Sequence, residues 1–412
     1  MRWMHRVRLY PTSVQEQRLR FVLDVTRQLF NALLEERRGA WTARRIALTT
    51  KSQYAEITAL RREDTRIAAV YRECEDAVLH RLDLAFSAFY RRCKSGEKPG
   101  FPRFKRSRNW KQIEFQHGNR ALRLDESQSR LRIPRIGTVR LRKGRSIPAF
   151  GRAFIVEKNG RWWATFECSR EPKPLPSTGR RIGVDRGVHV LCATSEGELI
   201  PGRKAGERHR RVITIHSRAL SALASADSSG GQEQRARCRQ RAIQRLGRAR
   251  ERETNMRADH AHKVALRLVH ENDEIALENL NLRGMIRSAR GTLDRPGRNV
   301  RAKSALNRAL VDAGFGLLRR LIGEKAEYAA RRIIGVEARY SSRTCGRCLH
   351  VAASSRRRRR FLCVACGWTC HADVAAALEI RRRAELQRTS ELSRVRSPLP
   401  SQDGEGSHND VS

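Results

Sequence analysis

Three carboxylates occupy positions where an acidic side chain points to chemistry. Asp185 lies inside the apolar segment RIGVDRGV, and Glu278 lies inside the apolar segment EIALENLNL. A carboxylate is costly to bury in an apolar strand unless it is paired or binds a cation. Asp373 opens the helical segment DVAAALEI, where capping of the helix N-terminus is the alternative structural role. Each acid alone therefore has a structural explanation as well as a chemical one.

The order of the three acids along the chain favours the chemical explanation. An Asp on a first strand, a Glu at the end of a later strand and an Asp at a late helix start form the layout of an RNase H-like domain. Three converging carboxylates supply hard oxygen ligands that suit Mg²⁺ or Mn²⁺. Two such ions can activate an attacking water and stabilise the leaving 3′ oxygen in phosphodiester hydrolysis. The sequence therefore predicts a metal-dependent nuclease site with Asp185, Glu278 and Asp373 as catalytic residues and metal ligands.

Four cysteines near the C-terminal end form two CxxC pairs, separated by 14 residues. They are Cys345, Cys348, Cys363 and Cys366. Paired cysteines at this spacing in a basic chain are typical of a tetrahedral, structural Zn²⁺ site and not of disulfides. Cys370 and His371 are alternative ligands in principle. We interpret His371 instead as a neighbour of the nuclease site, because it lies two residues before Asp373.

The charge of the chain indicates a polyanionic partner. The 412 residues include 86 Lys and Arg against 43 Asp and Glu, which gives a formal net charge of +43. A preference for Arg over Lys does not account for this twofold excess, and nucleic acid is the first candidate partner. The run Arg356 to Arg360, between the cysteine pairs, is either a solvated loop or a phosphate contact. The sequence has no signal-peptide or membrane-spanning pattern, so we expect a cytoplasmic protein.

The elements that must position these residues follow from the spacing of apolar side chains. Residues 14–40 and 52–93 carry apolar residues at helical spacing, and residues 112–170 read as short strands. Asn159-Gly160 predicts a type I′ hairpin turn between two of these strands. The Pro-rich segment 171–178 predicts a domain boundary.

These motifs, in this order, closely resemble the TnpB proteins of insertion sequences and their relatives, the compact type V CRISPR nucleases. The segments LYPTSVQEQRLRFVLDVTRQLFNALLEE and RRCKSGEKPGFPRFK are similar to the first part of that family. GVDRGV, ALENLNL, the cysteine pairs and CHADVAAALEI match its nuclease motifs. The sequence departs from the family at Ala375, where Asn is usual, and at Leu349, where Gly is usual.

The resemblance implies an α/β fold in which a RuvC/RNase H-like nuclease domain contains an inserted four-cysteine zinc ribbon. An oligonucleotide-binding-type β-barrel with a helical insert would precede that domain. In the implied division, residues 1–178 form the barrel and insert that bind guide RNA and target duplex. The first part of the nuclease domain is 179–338, and its last helix is 371–388. Between these two parts lies the ribbon that binds target nucleic acid, 339–370, and a disordered tail, 389–412, follows.

The function implied by the resemblance is RNA-guided cleavage of double-stranded DNA beside a short flanking motif. Asp185, Glu278 and Asp373 would hold Mg²⁺ or Mn²⁺, and the four paired cysteines would hold structural Zn²⁺. The partners would be a guide RNA and target DNA, with no membrane, and the protein would be a monomer at the bacterial nucleoid. The alternatives are a compact type V CRISPR effector, a nuclease-inactive RNA-guided binder or repressor, and a strand-joining transposase.

Overall fold

The computed structural model describes residues 1–144, 146–202, 207–225, 232–292 and 295–396. These residues form two compact units. Unit 1 contains residues 1–171 and 232–247, and unit 2 contains residues 172–225 and 248–396 among those described. Residues 232–247 lie in unit 1, although they were predicted to lie in the nuclease domain. The continuous helical pattern of this region gave no sign that the unit boundary falls inside it.

Unit 1 combines an antiparallel sheet with a set of helices. The strands are β1 (Arg2–Tyr10), β2 (Gln112–Phe115), β3 (Arg123–Asp125), β4 (Arg130–Ile133), β5 (Gly137–Leu141), β6 (Phe150–Lys158) and β7 (Arg161–Ser169). The helices are α1 (Ser13–Arg44), α2 (Thr50–Glu63), α3 (Thr65–Ala68), α4 (Arg72–Lys94) and α5 (Gly118–Ala121). The sheet order is β2-β6-β7-β1-β5-β4-β3, with every neighbouring pair antiparallel.

The predicted helical insert is present, since α1 to α4 lie between β1 and β2 and share one apolar core with the sheet. A capping box begins α1, because the Thr12 side chain accepts the N–H of Gln15 and the Gln15 side chain accepts the N–H of Thr12. The helical region predicted over 52–93 is interrupted at Asp64, whose side chain accepts the N–H of Arg66 and caps α3.

The hairpin predicted at Asn159-Gly160 is confirmed, because β6 and β7 pair on either side of it. Asn159 has φ 53° and Gly160 has φ 68°, the positive values that a type I′ turn requires at both central residues. The predicted barrel is not closed by hydrogen bonds within the described residues, since the sheet ends at β2 and β3. These two strands are only four and three residues long, which limits the pairing that they can provide.

Unit 2 contains a five-stranded mixed sheet and a small three-stranded sheet. The strands are β8 (Arg181–Asp185), β9 (Val190–Thr194), β10 (Leu199–Pro201), β11 (Glu274–Asn279), β12 (Arg332–Glu337), β13 (Arg356–Arg357), β14 (Arg360–Leu362) and β15 (Thr369–His371). The further helices are α6 (Glu207–Ser225), α7 (Gln232–Glu271), α8 (Leu282–Met285), α9 (Val300–Ala313), α10 (Phe315–Ala329) and α11 (Ala372–Arg396). The large sheet has the order β10-β9-β8-β11-β12, and β11 is parallel to both β8 and β12.

The two faces of this sheet carry separate apolar clusters, which confirms an α/β arrangement. Ile275 and Leu277 of β11 pack with residues of α7 and α10, whereas Ala276 packs with Ile380 and Ala384 of α11. Successive side chains of a strand point to opposite faces, so one face of β11 meets α7 and α10 and the other meets α11.

Helix α11 continues to Arg396 and so includes residues 389–396, which were predicted to begin a disordered tail. Residues 397–412 of the predicted tail lie outside the described residues. No helix of the described chain is both long and apolar enough to span a membrane.

Candidate active site and metal centre

Strand pairing brings Asp185 and Glu278 to the same edge of the large sheet. Val184 of β8 lies opposite Leu277 of β11 in a parallel register, so the next residue of each strand is one of the two acids. Ile182 and Val184 face α7 and α10, and strand alternation therefore places Asp185 on the face toward α11. The same alternation places Glu278 on that face. Both acids are buried, with 8% and 7% of their surface exposed.

Gly183 brings the helix that carries Asp373 close to the strand that carries Asp185. A Cβ atom on Gly183 would lie 2.1 Å from the main-chain oxygen of Ala377 in α11, so only glycine permits this approach. Asp373 lies in the first turn of α11, and its Oδ2 is 3.6 Å from where a Cβ of Gly187 would lie. The structure thus brings the three predicted acids into one region.

The alternative role of Asp373 as the helix cap is not what the structure shows. His371 immediately precedes α11, and its Nδ1 accepts the N–H of Asp373 at 3.3 Å. The Oδ1 atom of Asp373 accepts instead from the guanidinium of Arg356 at 3.0 Å. This contact between His371 and Asp373 is consistent with the prediction that His371 neighbours the nuclease site.

The electrostatics of this region favour a cation. Burial raises the pKa of Asp185 well above its ordinary value, and the charges of Glu278 and Asp373 raise it further. Arg356 and Arg186 oppose this effect. A divalent cation among the three carboxylates would offset both the desolvation and the repulsion. Hard oxygen donors of this kind suit Mg²⁺ or Mn²⁺ chemically.

Three further side chains contact these acids, and sequence reasoning did not assign them to the site. Buried Arg186 donates to the main-chain oxygen of Glu278 at 2.7 Å and to that of Phe315 at 2.9 Å. Ser341 donates its hydroxyl to Oε1 of Glu278. Arg356 pairs with Asp373, as described above. Two of them had a signal in the sequence: Arg186 follows Asp185 directly, and Arg356 begins a run of arginines. Ser341 had no such signal.

The four predicted zinc ligands converge more tightly than the acids do. Among the described residues, only these cysteines form a group of three or more ligand atoms that all lie within 4.8 Å of one another. The sulfurs of Cys345 and Cys366 are 3.7 Å apart, and those of Cys348 and Cys363 are 3.5 Å apart. A tetrahedral ion with Zn–S bonds of about 2.3 Å places its sulfurs about 3.8 Å apart, which these distances approach. The group can therefore hold a structural metal such as zinc.

The loop that carries Cys363 also favours a thiolate at that residue. The backbone N–H of Cys366 lowers the pKa of Cys363 to about 6, and that of Ala365 acts in the same direction. The residue after each CxxC pair has a left-handed backbone, with φ 64° at Leu349 and φ 69° at Gly367. Cys370, considered as an alternative ligand, lies outside the four-sulfur group, and its thiol donates to the oxygen of His371.

Three family models match the chain. Residues 165–289 match the OrfB_IS605 model, described as "Probable transposase". Residues 1–45 match the HTH_OrfB_IS605 model, described as a helix-turn-helix domain, although here they form strand β1 and the single long helix α1. Residues 315–380, which include the cysteine cluster and Asp373, match the TNB domain of Cas12f1-like proteins.

Two relatives are both named "Putative RNA-guided DNA endonuclease". The protein from Escherichia coli K12, further named InsQ, is 30% identical over 287 residues, which cover 69% of this chain and 68% of the relative. The protein from Streptomyces pristinaespiralis is 25% identical over 383 residues, which cover 90% of this chain and 87% of the relative. A solved structure of the mini-RNA-guided endonuclease CRISPR-Cas_phi3 aligns over 93% of this chain and 92% of its own, at 9% identity and a TM-score of 0.44. The identity and coverage of the Escherichia coli relative, together with the matched models, show that this chain belongs to the TnpB (OrfB_IS605) family.

Proposed function

We propose that the chain is an RNA-guided DNA endonuclease that hydrolyses target DNA at a RuvC-type site formed by Asp185, Glu278 and Asp373. The observation that carries this proposal is the convergence of three carboxylates from β8, β11 and α11. The names of the two relatives support the RNA-guided part of the proposal. The net charge of +43 supports it as well, because a compact chain with this charge binds polyanions readily.

The three acids fit a divalent metal by their donor type, their burial and their mutual repulsion. Mg²⁺ or Mn²⁺, when bound, supplies the positive charge that stabilises phosphodiester hydrolysis. Asp185 and Glu278 are fixed by adjacent parallel strands, so their carboxylates hold one edge of the site. Asp373 closes the site from α11, and its Oδ1 accepts from Arg356 in the structure. In the same proposal, the four paired cysteines hold Zn²⁺ that stabilises the ribbon, and unit 1 grips the guide RNA and target.

The source of the RNA separates this proposal from its CRISPR alternative. Expressed with its native flanking DNA, the protein should co-purify with one structured RNA whose 3′ end extends past the boundary of the insertion sequence. A repeat-derived RNA would instead support a compact CRISPR effector. A discrete RNA that directs target binding without cutting would support the nuclease-inactive alternative.

Isosteric substitution of the acids tests the cleavage site. Glu278→Gln should abolish Mg²⁺-dependent cutting of a matched target while target binding persists, because a metal ligand acts mainly on the transition state. Glu274→Gln is the matched control, since Glu274 is also buried and lies on the same strand, near its opposite end. Asp185→Asn and Asp373→Asn should behave like Glu278→Gln. Normal cutting by any of these three variants would remove that residue from the proposed site.

The zinc assignment can be tested independently of DNA cleavage. The purified protein should contain about one Zn²⁺ per chain, and Cys363→Ser should lose it and destabilise the ribbon, because structural zinc contributes folding free energy. Elemental analysis of the folded protein measures this directly. A folded protein without zinc would contradict the assignment while leaving the nuclease proposal intact.

A further inference from the structure

Ser341 contacts the side chain of Glu278 from a segment that lies outside the three motifs that carry the acids. Its hydroxyl lies within hydrogen-bonding distance of Glu278 Oε1, and it is also 3.1 Å from the main-chain oxygen of Ala338. Ser341 is 3% exposed and Glu278 is 7% exposed, so this contact is shielded from water. A buried hydrogen bond to a charged group is stronger than an exposed one and holds its partners in place.

The turn that carries Ser341 is itself held firmly. Tyr340 has φ 62°, a left-handed conformation that is costly for a residue with a side chain, and its oxygen accepts the N–H groups of Arg343 and Thr344 at 2.9 and 3.1 Å. Arg383 of α11 donates to the main-chain oxygens of Glu337 and Arg339, at 2.7 and 2.8 Å. The position of Ser341 is therefore fixed relative to both β12 and α11.

The backbone of Glu278 is fixed from the other side. Arg186 donates to its main-chain oxygen, and β11 pairs with strands on both edges. The side chain of Glu278 can still rotate about its own bonds. Ser341 contacts Oε1, the atom whose position depends on that rotation. Within the described part of the chain, Oε2 of Glu278 is left without a protein hydrogen bond.

We propose that Ser341 is a positioning residue that holds the Glu278 carboxylate by Oε1 and leaves Oε2 directed at a divalent cation. The inference rests on the nuclease function proposed above. Hydrogen bonds to metal-ligating carboxylates orient them, and removing such a partner typically lowers metal affinity or activity by about 10- to 100-fold. Ser341→Ala should therefore weaken the site without removing a ligand.

Direct binding of Mn²⁺ to the purified protein, followed by the electron paramagnetic resonance signal of the free ion, tests this role apart from cleavage. Ser341→Ala should weaken Mn²⁺ binding by about 10-fold or more and raise the Mg²⁺ concentration for half-maximal cutting in parallel. Ser177→Ala is the matched control. Ser177 also donates its hydroxyl to a carboxylate in the same unit, to Oδ2 of Asp273 at 2.6 Å. It should leave Mn²⁺ binding unchanged.

A double-mutant cycle separates positioning from a general structural role. In a Glu278→Gln background, Ser341→Ala should have little further effect on Mn²⁺ affinity, because the charged carboxylate that it orients is gone. Equal effects of Ser341→Ala in both backgrounds would overturn the proposal. If Ser341→Ala fails to fold, Ser341→Thr and Ser341→Val provide an isosteric pair that differs in the hydroxyl. Thr should then bind Mn²⁺ more tightly than Val, and equal binding would overturn the proposal.

A different variant, Asp185→Asn, tests the proposed nuclease function separately from the role of Ser341. Asp185→Asn should eliminate Mn²⁺ binding at the site and cutting together. If Asp185→Asn cuts normally, the three acids are not the nuclease site. If Asp185→Asn is inactive but Ser341→Ala binds Mn²⁺ and cuts like the native protein, only the role of Ser341 is lost.

Discussion

Replacing Gly183 by alanine should separate the strand that carries Asp185 from the helix that carries Asp373. The added Cβ would lie 2.1 Å from the Ala377 oxygen and 2.8 Å from the nitrogen and Cβ of Arg381. Two of these three are main-chain atoms, so no side-chain rotation can relieve the overlap. Strand and helix must move apart by about 1 Å, because close-packed interiors have no spare volume.

The size of the effect follows from that displacement. Overpacking of this kind typically costs about 1 to 3 kcal/mol of folding free energy. A displacement of about 1 Å among catalytic groups can reduce the rate about 100-fold. Gly183→Ala should therefore cut about 100-fold more slowly at saturating Mg²⁺ and target, while the protein remains folded and binds its target.

Single-turnover cleavage and thermal unfolding measure the two effects separately. Gly323→Ala is the matched control, since a Cβ at Gly323 in α10 meets nothing within 4 Å. That change should leave cutting unchanged and add about 0.5 to 1 kcal/mol of stability, because alanine is the better helix residue. A folded Gly183→Ala protein that cuts within threefold of the native rate would refute the link between this close approach and the active site.

Further substitutions in and beside the ribbon should change the stability of the protein or its affinity for Mn²⁺. Leu349→Gly should stabilise the ribbon by about 1 kcal/mol, because φ 64° is strained for leucine. Gly367→Leu should destabilise the ribbon for the same reason. Thermal unfolding of the zinc-loaded protein measures both effects. Ala375→Asn should lower the free energy of unfolding by about 1 to 3 kcal/mol, because it places an amide at a fully buried position in an apolar cluster, and an unchanged value in chemical denaturation would contradict this. Arg356→Met should tighten Mn²⁺ binding about two- to fivefold by removing a cation that competes for Asp373; Arg357→Met, which removes an equal charge at an exposed position, should not.

The parts of the site that sequence could predict are those with a periodic or spacing signal. Asp185 and Glu278 were visible because each interrupts an apolar strand, and parallel pairing of those strands places them side by side. The cysteines were visible through their spacing. Gly183 carried a weaker signal, since a glycine inside a strand often marks a close approach of another backbone.

The contacts between side chains from distant segments were not predictable. Ser341 lies 63 residues from Glu278, in a turn without periodicity, and nothing local marks its partner. The pairing of Arg356 with Asp373 depends on where the strand β13 lies relative to the start of α11. Unit boundaries are equally non-local: α7 is one continuous helix, yet its residues 232–247 belong to unit 1 and its later residues to unit 2.

The first turn of α11 contributes both to the cysteine cluster and to the proposed nuclease site. Ala372 and Ala375 pack with Cys345 and Cys363 in one buried cluster, while Asp373 between them forms part of the proposed active site. A helical turn moves as a unit, so the cluster cannot rearrange without displacing the carboxylate. The four thiolates need not touch the substrate to matter, because a metal that orders their loops also fixes the start of this helix. On this argument the ribbon is part of the framework of the proposed active site, and a metal bound in the ribbon would contribute to cleavage through position.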